Sequence, residues 1–188
     1  MYDSYDGLIF DMDGTILDTE PTHRRAWHSV LARYGMQFDE LALIGLNGSP
    51  TWRIAEAIIN SHQSSLDPHQ LAAEKTAALK EILFDTVQPL PLIKVVKAYR
   101  GRRPMAVGTG SEHALAEALL QHLGIRDCFD AVVGADDVTR HKPEPETFLR
   151  CAELIGVAPA RCVVFEDADF GIQAAQAAGM AFVDVRRL

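Results

Sequence analysis

The chain has 188 residues, 48% hydrophobic and 23% charged, the composition of a soluble globular protein with one full core and room for a small appendage. A net charge of -8 argues against general nucleic-acid binding, and no apolar run reaches the roughly 18 residues that span a bilayer. Cys128, Cys151 and Cys162 are odd in number and lack C-x-x-C spacing, so reduced thiols in a cytoplasmic protein are expected rather than a disulfide frame or a zinc site.

The acidic opening Met1-Tyr2-Asp3-Ser4-Tyr5-Asp6 does not read as a signal peptide and leads into Gly7-Leu8-Ile9-Phe10, a short buried strand. Asp11 and Asp13 follow, and Gly14-Thr15 lets the chain turn away at once. Alternate residues of extended chain face the same way, so the two carboxylates share one side of the strand's exit. Like charges that close repel, and a shared proton or a bound cation relieves them.

From about Thr19 to Phe84 there are only helical patterns: Arg24 to Tyr34, Thr51 to Ile59, and His69 to Leu83. This stretch is too long for a loop and small for an independent domain. It reads as a helical cap, residues 19–84, inserted after the first strand of a core made of residues 1–18 and 85–188. Pro89-Leu90-Pro91 marks the return.

Four further apolar runs follow: Met105 to Val107, Ala131 to Val133, Cys162 to Phe165, and Ala181 to Val185. Helical patterns alternate with them over Glu112 to Leu123, Pro145 to Ile155, and Phe170 to Ala178. Ser111 stands where an N-cap belongs, and Gly124 and Gly156 where C-cap glycines belong. The alternation predicts an α/β fold, a mostly parallel sheet in three layers, with ligands gathering at the carboxyl ends of its strands.

Those ends carry a pattern of chemistry. The first yields Asp11 and Asp13; the second runs into Thr109-Gly110-Ser111; the loop after the third holds Arg140-His141-Lys142-Pro143; the fourth ends in Glu166-Asp167. A phosphate needs a hydroxyl, backbone N–H donors, a cation and a divalent metal with oxygen ligands, and this set supplies them.

Asp11-Met12-Asp13-Gly14-Thr15, Thr109, Lys142-Pro143 and Glu166-Asp167 together resemble the four signature motifs of the haloacid dehalogenase-like superfamily. The resemblance covers the whole chain. Asp18-Thr19, the run His23-Arg24-Arg25-Ala26-Trp27 and the run from Glu166 to Ile172 make it similar to the branch containing β-phosphoglucomutase and small sugar-phosphate phosphatases. It implies a Rossmann-like core, and a phosphatase for a small phosphorylated sugar such as fructose 1-phosphate or 6-phosphogluconate. Asp11 is then the nucleophile that forms an aspartyl-phosphate, and Asp13 the acid and base. Thr109, Gly110 and Lys142 hold the phosphate. Mg²⁺ is implied on the Asp11 carboxylate, the Asp13 backbone carbonyl and Asp167, with Glu166 a direct ligand or acting through water.

For the sugar, the cap offers His23, Trp27, Lys75 and the segment Asn47-Gly48-Ser49-Pro50-Thr51-Trp52-Arg53. Its small residues followed by a helix start offer donors to an anionic group. Residues such as Trp27 and Trp52 are more often core than sugar platforms. Where the mutase has a phosphate-clamping arginine this chain has Thr51, Glu112 replaces a lysine, and Thr15 an apolar residue. These departures favour hydrolysis over a phosphomutase, though Arg53 is near enough to replace the clamp. A receiver-type signalling domain or a non-catalytic binding protein is the remote alternative. A monomer is expected, with no membrane or nucleic-acid partner.

Overall fold

The computed structural model describes residues 2–39, 46 and 49–188. The first half comprises β1 (Gly7–Phe10), β2 (Leu17–Asp18), α1 (Glu20–Ala32), α2 (Thr51–Ser61), α3 (Pro68–Thr86), β3 (Gln88–Pro89) and α4 (Ile93–Tyr99). The second comprises β4 (Met105–Gly108), α5 (His113–His122), β5 (Ala131–Val133), α6 (Glu146–Leu154), β6 (Cys162–Glu166), α7 (Asp169–Ala177) and β7 (Ala181–Asp184). Every strand and helix expected from the pattern is present, with ends moved by a few residues.

The five main strands form one sheet in the order β5-β4-β1-β6-β7, and all are parallel rather than mostly so. Phe10 pairs with Val107 on one side and Phe165 on the other. Asp11, Thr109 and Glu166 therefore leave the sheet at neighbouring levels of the same edge.

β1 is buried throughout because both faces are covered. Leu8 and Phe10 pack with α4 and α5 through Val96, Leu115 and Leu119, whereas Ile9 packs with α6 and α7 through Phe148, Cys151 and Ala174. Each fully buried Leu, Ile, Val or Phe stabilises the fold by about 1.5–3 kcal/mol. That rigidity fixes the strand ends on which the chemistry is mounted.

Helices α1, α2 and α3 gather around a separate cluster of Trp27, Val30, Leu31, Ala55, Ile58, Ile59 and Leu71. β2 and β3 form an antiparallel ribbon, Leu17 opposite Pro89 and Asp18 opposite Gln88, so the chain leaves for the helices and returns side by side. Two-residue strands have no period to read, and the ribbon was not expected. Nor was α4, a single short helix rich in β-branched residues.

Candidate active site

Asp11 is the first residue past β1, and its N–H still donates to the Phe165 carbonyl at 2.9 Å, so the sheet ladder orients it. Lys142, on the loop after β5, donates from Nζ to Asp11 Oδ1 at 2.6 Å and to Glu166 Oε2 at 2.8 Å. All three side chains are buried. Thr15 Oγ1 donates to Asp167 Oδ1 at 3.0 Å. Carboxylate oxygens of Asp11, Glu166 and Asp167 lie within 4.8 Å of one another. Two glycines permit this crowding. Gly14 has φ +81, and a side chain there meets the Asp167 carboxylate; a methyl at Gly171 overlaps that of Glu166.

Asp13 has different company. Oδ1 accepts from Thr19 Oγ1 at 2.6 Å and lies 3.5 Å from His23 Nε2. Oδ2 accepts from Thr109 Oγ1 at 3.2 Å and Ser111 Oγ at 2.9 Å. Lys75 Nζ stands 2.6 Å from His23 Nδ1. Ser111 is thus not the cap of α5: Glu112 holds that position, and the Ser111 hydroxyl serves Asp13 instead. Thr19 stands at the N-cap of α1 and likewise makes no capping bond with its side chain. In both cases a hydroxyl suited to capping is spent on the carboxylate.

Both carboxylates open onto a cavity of about 520 Å³ between the sheet edge and the helical segment. Thr109, Gly110 and Asp167 line it from the sheet, and His23, Trp27, Ser49, Thr51 and Lys75 from the helices. Trp27 joins both readings, being buried in the helical cluster while bordering the cavity. Asp18, Arg24, Phe38, Ile54 and Leu90 also line it, although none of them was a candidate site residue in the sequence. Ser49 Oγ is buried with no hydrogen-bond partner among the described residues. Arg53 is not among the described lining residues; its guanidinium donates to the Lys142 carbonyl at 3.4 Å. Asn47 and Gly48 lie outside the described residues.

The model of the haloacid dehalogenase-like hydrolases matches residues 5–179. The chain belongs to that family. A relative, the fructose-1-phosphate phosphatase YqaB of Escherichia coli (strain K12), is 69% identical over 188 residues, covering 100% of both chains. The phosphorylated carbohydrates phosphatase of Thermotoga maritima is 31% identical and covers 93% of this chain and 82% of its own. Among solved structures, β-phosphoglucomutase from Clostridium difficile superposes with a TM-score of 0.83 at 28% identity, covering 95% of this chain and 83% of that one.

Within this haloacid dehalogenase-like site the carboxylates have opposite tendencies. Burial, then the Asp11 charge, pushes the Asp167 carboxyl up to about 7. Asp11 and Glu166 are raised too, chiefly by burial, with Lys142 pulling the other way. Lys142 is held above its usual value, since the two carboxylates outweigh its burial. Burial works against the Asp13 anion, but His23 and the Thr19 and Ser111 hydroxyls outweigh it and take the carboxyl below its ordinary range. Burial lowers Lys75 to about 8. Three carboxylates facing one ammonium leave two negative charges among oxygen donors, a set that fits a divalent hard cation such as Mg²⁺.

A carboxyl that holds its proton more tightly when folded favours the fold at low pH and loses that contribution as pH rises. For Asp167 the loss runs from the ordinary carboxylate range up to about 7. Without metal the chain melts at a lower temperature at about pH 8 than at about pH 6, and adding Mg²⁺ removes most of the difference. Thermal melts with and without Mg²⁺ check this; equal melting temperatures in metal-free buffer contradict it.

Proposed function

We propose that the chain is a Mg²⁺-dependent phosphatase of small phosphorylated sugars, of the fructose 1-phosphate or 6-phosphogluconate type, acting through an aspartyl-phosphate on Asp11. The observation that carries this reading is the separation of the two aspartates into two environments around one cavity. Asp11 is paired with an ammonium beside two further carboxylates, while Asp13 is held by hydroxyls and faces His23. One carboxylate cannot be nucleophile and acid together, and here the roles are divided. The 69% identical relative supports the substrate class.

In the first step an Asp11 oxygen attacks phosphorus and the bond from phosphorus to the sugar oxygen breaks, with Asp13 giving that oxygen a proton. In the second, Asp13 takes a proton from the water that attacks phosphorus and frees Asp11. Asp13 is anionic while Thr109 and Ser111 donate to it, the state suited to the second step. An arriving phosphate draws those hydroxyls to its own oxygens and adds negative charge nearby. Both changes raise the proton affinity of Asp13 and prepare it for the first step.

Lys142 and Thr109, with the Gly110 backbone, hold the non-reacting phosphate oxygens in this reading. Mg²⁺ held by Asp11, Asp167 and the Asp13 backbone carbonyl, with Glu166 as ligand or through water, supplies neutralisation of the phosphoryl charge. General acid–base catalysis contributes about 10²–10⁴. Enzymes accelerate phosphate-monoester hydrolysis by up to ~10²¹, so positioning and charge neutralisation carry most of it.

The sugar fits among His23, Trp27, Ser49, Thr51 and Lys75, and a sugar hydroxyl is the natural partner of the Ser49 Oγ. We take residues 19–84 as a cap that excludes water, on a core of residues 1–18 and 85–188. The protein acts as a cytoplasmic monomer in this reading; no described helix is long and apolar enough to cross a membrane.

The rival reading is a phosphomutase, favoured by the likeness to β-phosphoglucomutase. Thr51 lines the cavity where the mutase has its arginine, and Arg53 is engaged by the Lys142 carbonyl rather than the cavity. Release of inorganic phosphate from fructose 1-phosphate, abolished by EDTA and restored by Mg²⁺, is the expected result. Efficient isomerisation of β-glucose 1-phosphate with little phosphate released overturns it.

A further inference from the structure

We propose that Arg53 and Trp52 latch the helical segment to the loop that carries Lys142, and so are positioning residues for its ammonium. The inference rests on the phosphatase reading for its kinetic consequence, but not for its geometry. Arg53 Nη1 donates to the Lys142 carbonyl at 3.4 Å, across 89 residues of chain. Its guanidinium also lies 5.7 Å from the Trp52 ring centre. Trp52 in turn stacks on His69 of α3, with centroids 5.5 Å apart and planes 26° from parallel. The same indole meets His141 edge-on, with centroids 6.4 Å apart. The first turn of α2 therefore grips two consecutive residues of the catalytic loop, one by its backbone and one by its ring.

The geometry of α2 gives the latch its use. Successive helical residues point about 100° apart, a consequence of 3.6 residues per turn. Thr51 and Ile54 line the substrate cavity, whereas Trp52 and Arg53 are absent from its described lining. One face of a single helix turn meets the sugar and another holds the loop. A sugar that seats Thr51 also seats Arg53 on the Lys142 carbonyl, and Lys142 reaches from there to Asp11 and Glu166. Burial, and then the charge of Arg53, lowers the proton affinity of His141. Another contact between helices and core, Lys80 with Glu112 at 3.7 Å, is about half exposed and screened by solvent. It cannot replace the latch.

The rival role for Arg53 is a direct clamp on an anionic group of the substrate. The two roles separate by substrate and by hydrogen exchange. With a latch, Arg53→Ala lowers kcat about tenfold both for fructose 1-phosphate, whose sugar carries no charge beyond its phosphate, and for the sugar acid 6-phosphogluconate, the scale of one charge-assisted hydrogen bond. Amide exchange over residues 140–142 of the substrate-free protein also quickens severalfold, while β1 and β6 are unchanged. Arg53→Lys, which keeps a cationic donor, restores most of both. A loss confined to the sugar acid, with exchange unaltered, overturns the latch in favour of a clamp. Faster exchange with unchanged kcat overturns the positioning role. Should the unmodified protein release no phosphate from any sugar phosphate, the functional reading fails while the exchange measurement still decides the latch.

Discussion

Asp11→Asn brings phosphate release to background, a loss of about 10⁶-fold, the scale on which removal of a nucleophile acts. Asn has the same shape, and its amide oxygen still accepts from Lys142, so the site does not collapse. The chain in fact gains stability without metal, because one of three crowded carboxylates is gone. Burial and Glu166 raise the proton affinity of Asp11, so the native site carries that repulsion as a cost. Single-turnover phosphate release and metal-free thermal melts measure both effects. Turnover within tenfold of the unmodified protein refutes the assignment of the nucleophile.

Lys142→Met acts on stability and catalysis together. The ammonium is the shared cation of Asp11 and Glu166, at 2.6 Å and 2.8 Å, and its removal leaves two buried carboxylates facing each other. Breaking a buried ion pair from one side costs about 3–5 kcal/mol. The expected urea midpoint falls accordingly at about pH 7.5 and recovers in part at lower pH, where the carboxyls take protons instead of meeting bare. Mg²⁺ recovers part of the rest by supplying positive charge at the same place. Phosphate release falls at least ~10³-fold, since a group that neutralises transition-state charge is gone. Denaturant titrations with and without Mg²⁺ check the stability arm; an unchanged midpoint shows that the ammonium is not the partner of these carboxylates.

The parts of the site legible in the sequence are those fixed by strand ends. An apolar run with two carboxylates at its exit announces itself, and the parallel order brings Asp11, Thr109, Glu166 and Asp167 to one edge, to which the loop after β5 returns Lys142. The shell around Asp13 was hidden. Ser111 sits just before a helix, where a hydroxyl ordinarily caps, and sequence spacing cannot show that an acceptor 98 residues away has claimed it. Thr19 was hidden in the same way. The signal now visible is a helix start whose hydroxyl caps nothing.

Helical segments were harder to read for a geometric reason. Strand ends are aligned by the sheet, but the residues a helix presents depend on its rotation and crossing. Ser49, Thr51 and Arg53 all belonged to one candidate segment, yet two line the cavity and the third turns to the Lys142 carbonyl. Phe38, Ile54 and Leu90 line the same cavity with no local pattern to mark them. The two-residue strands β2 and β3 were likewise beneath any periodic signal, although they set where the helical segment leaves and returns.

The covalent step proposed for Asp11 can be read directly by trapping. Borohydride cleaves an acyl phosphate and leaves the aspartyl residue as homoserine, a change that mass spectrometry locates on the peptide. Protein quenched with borohydride during turnover of fructose 1-phosphate and Mg²⁺ carries homoserine at residue 11, and none when EDTA is present. Vigorous phosphate release with no label at Asp11, or with the label on another carboxylate, contradicts the mechanism at its centre.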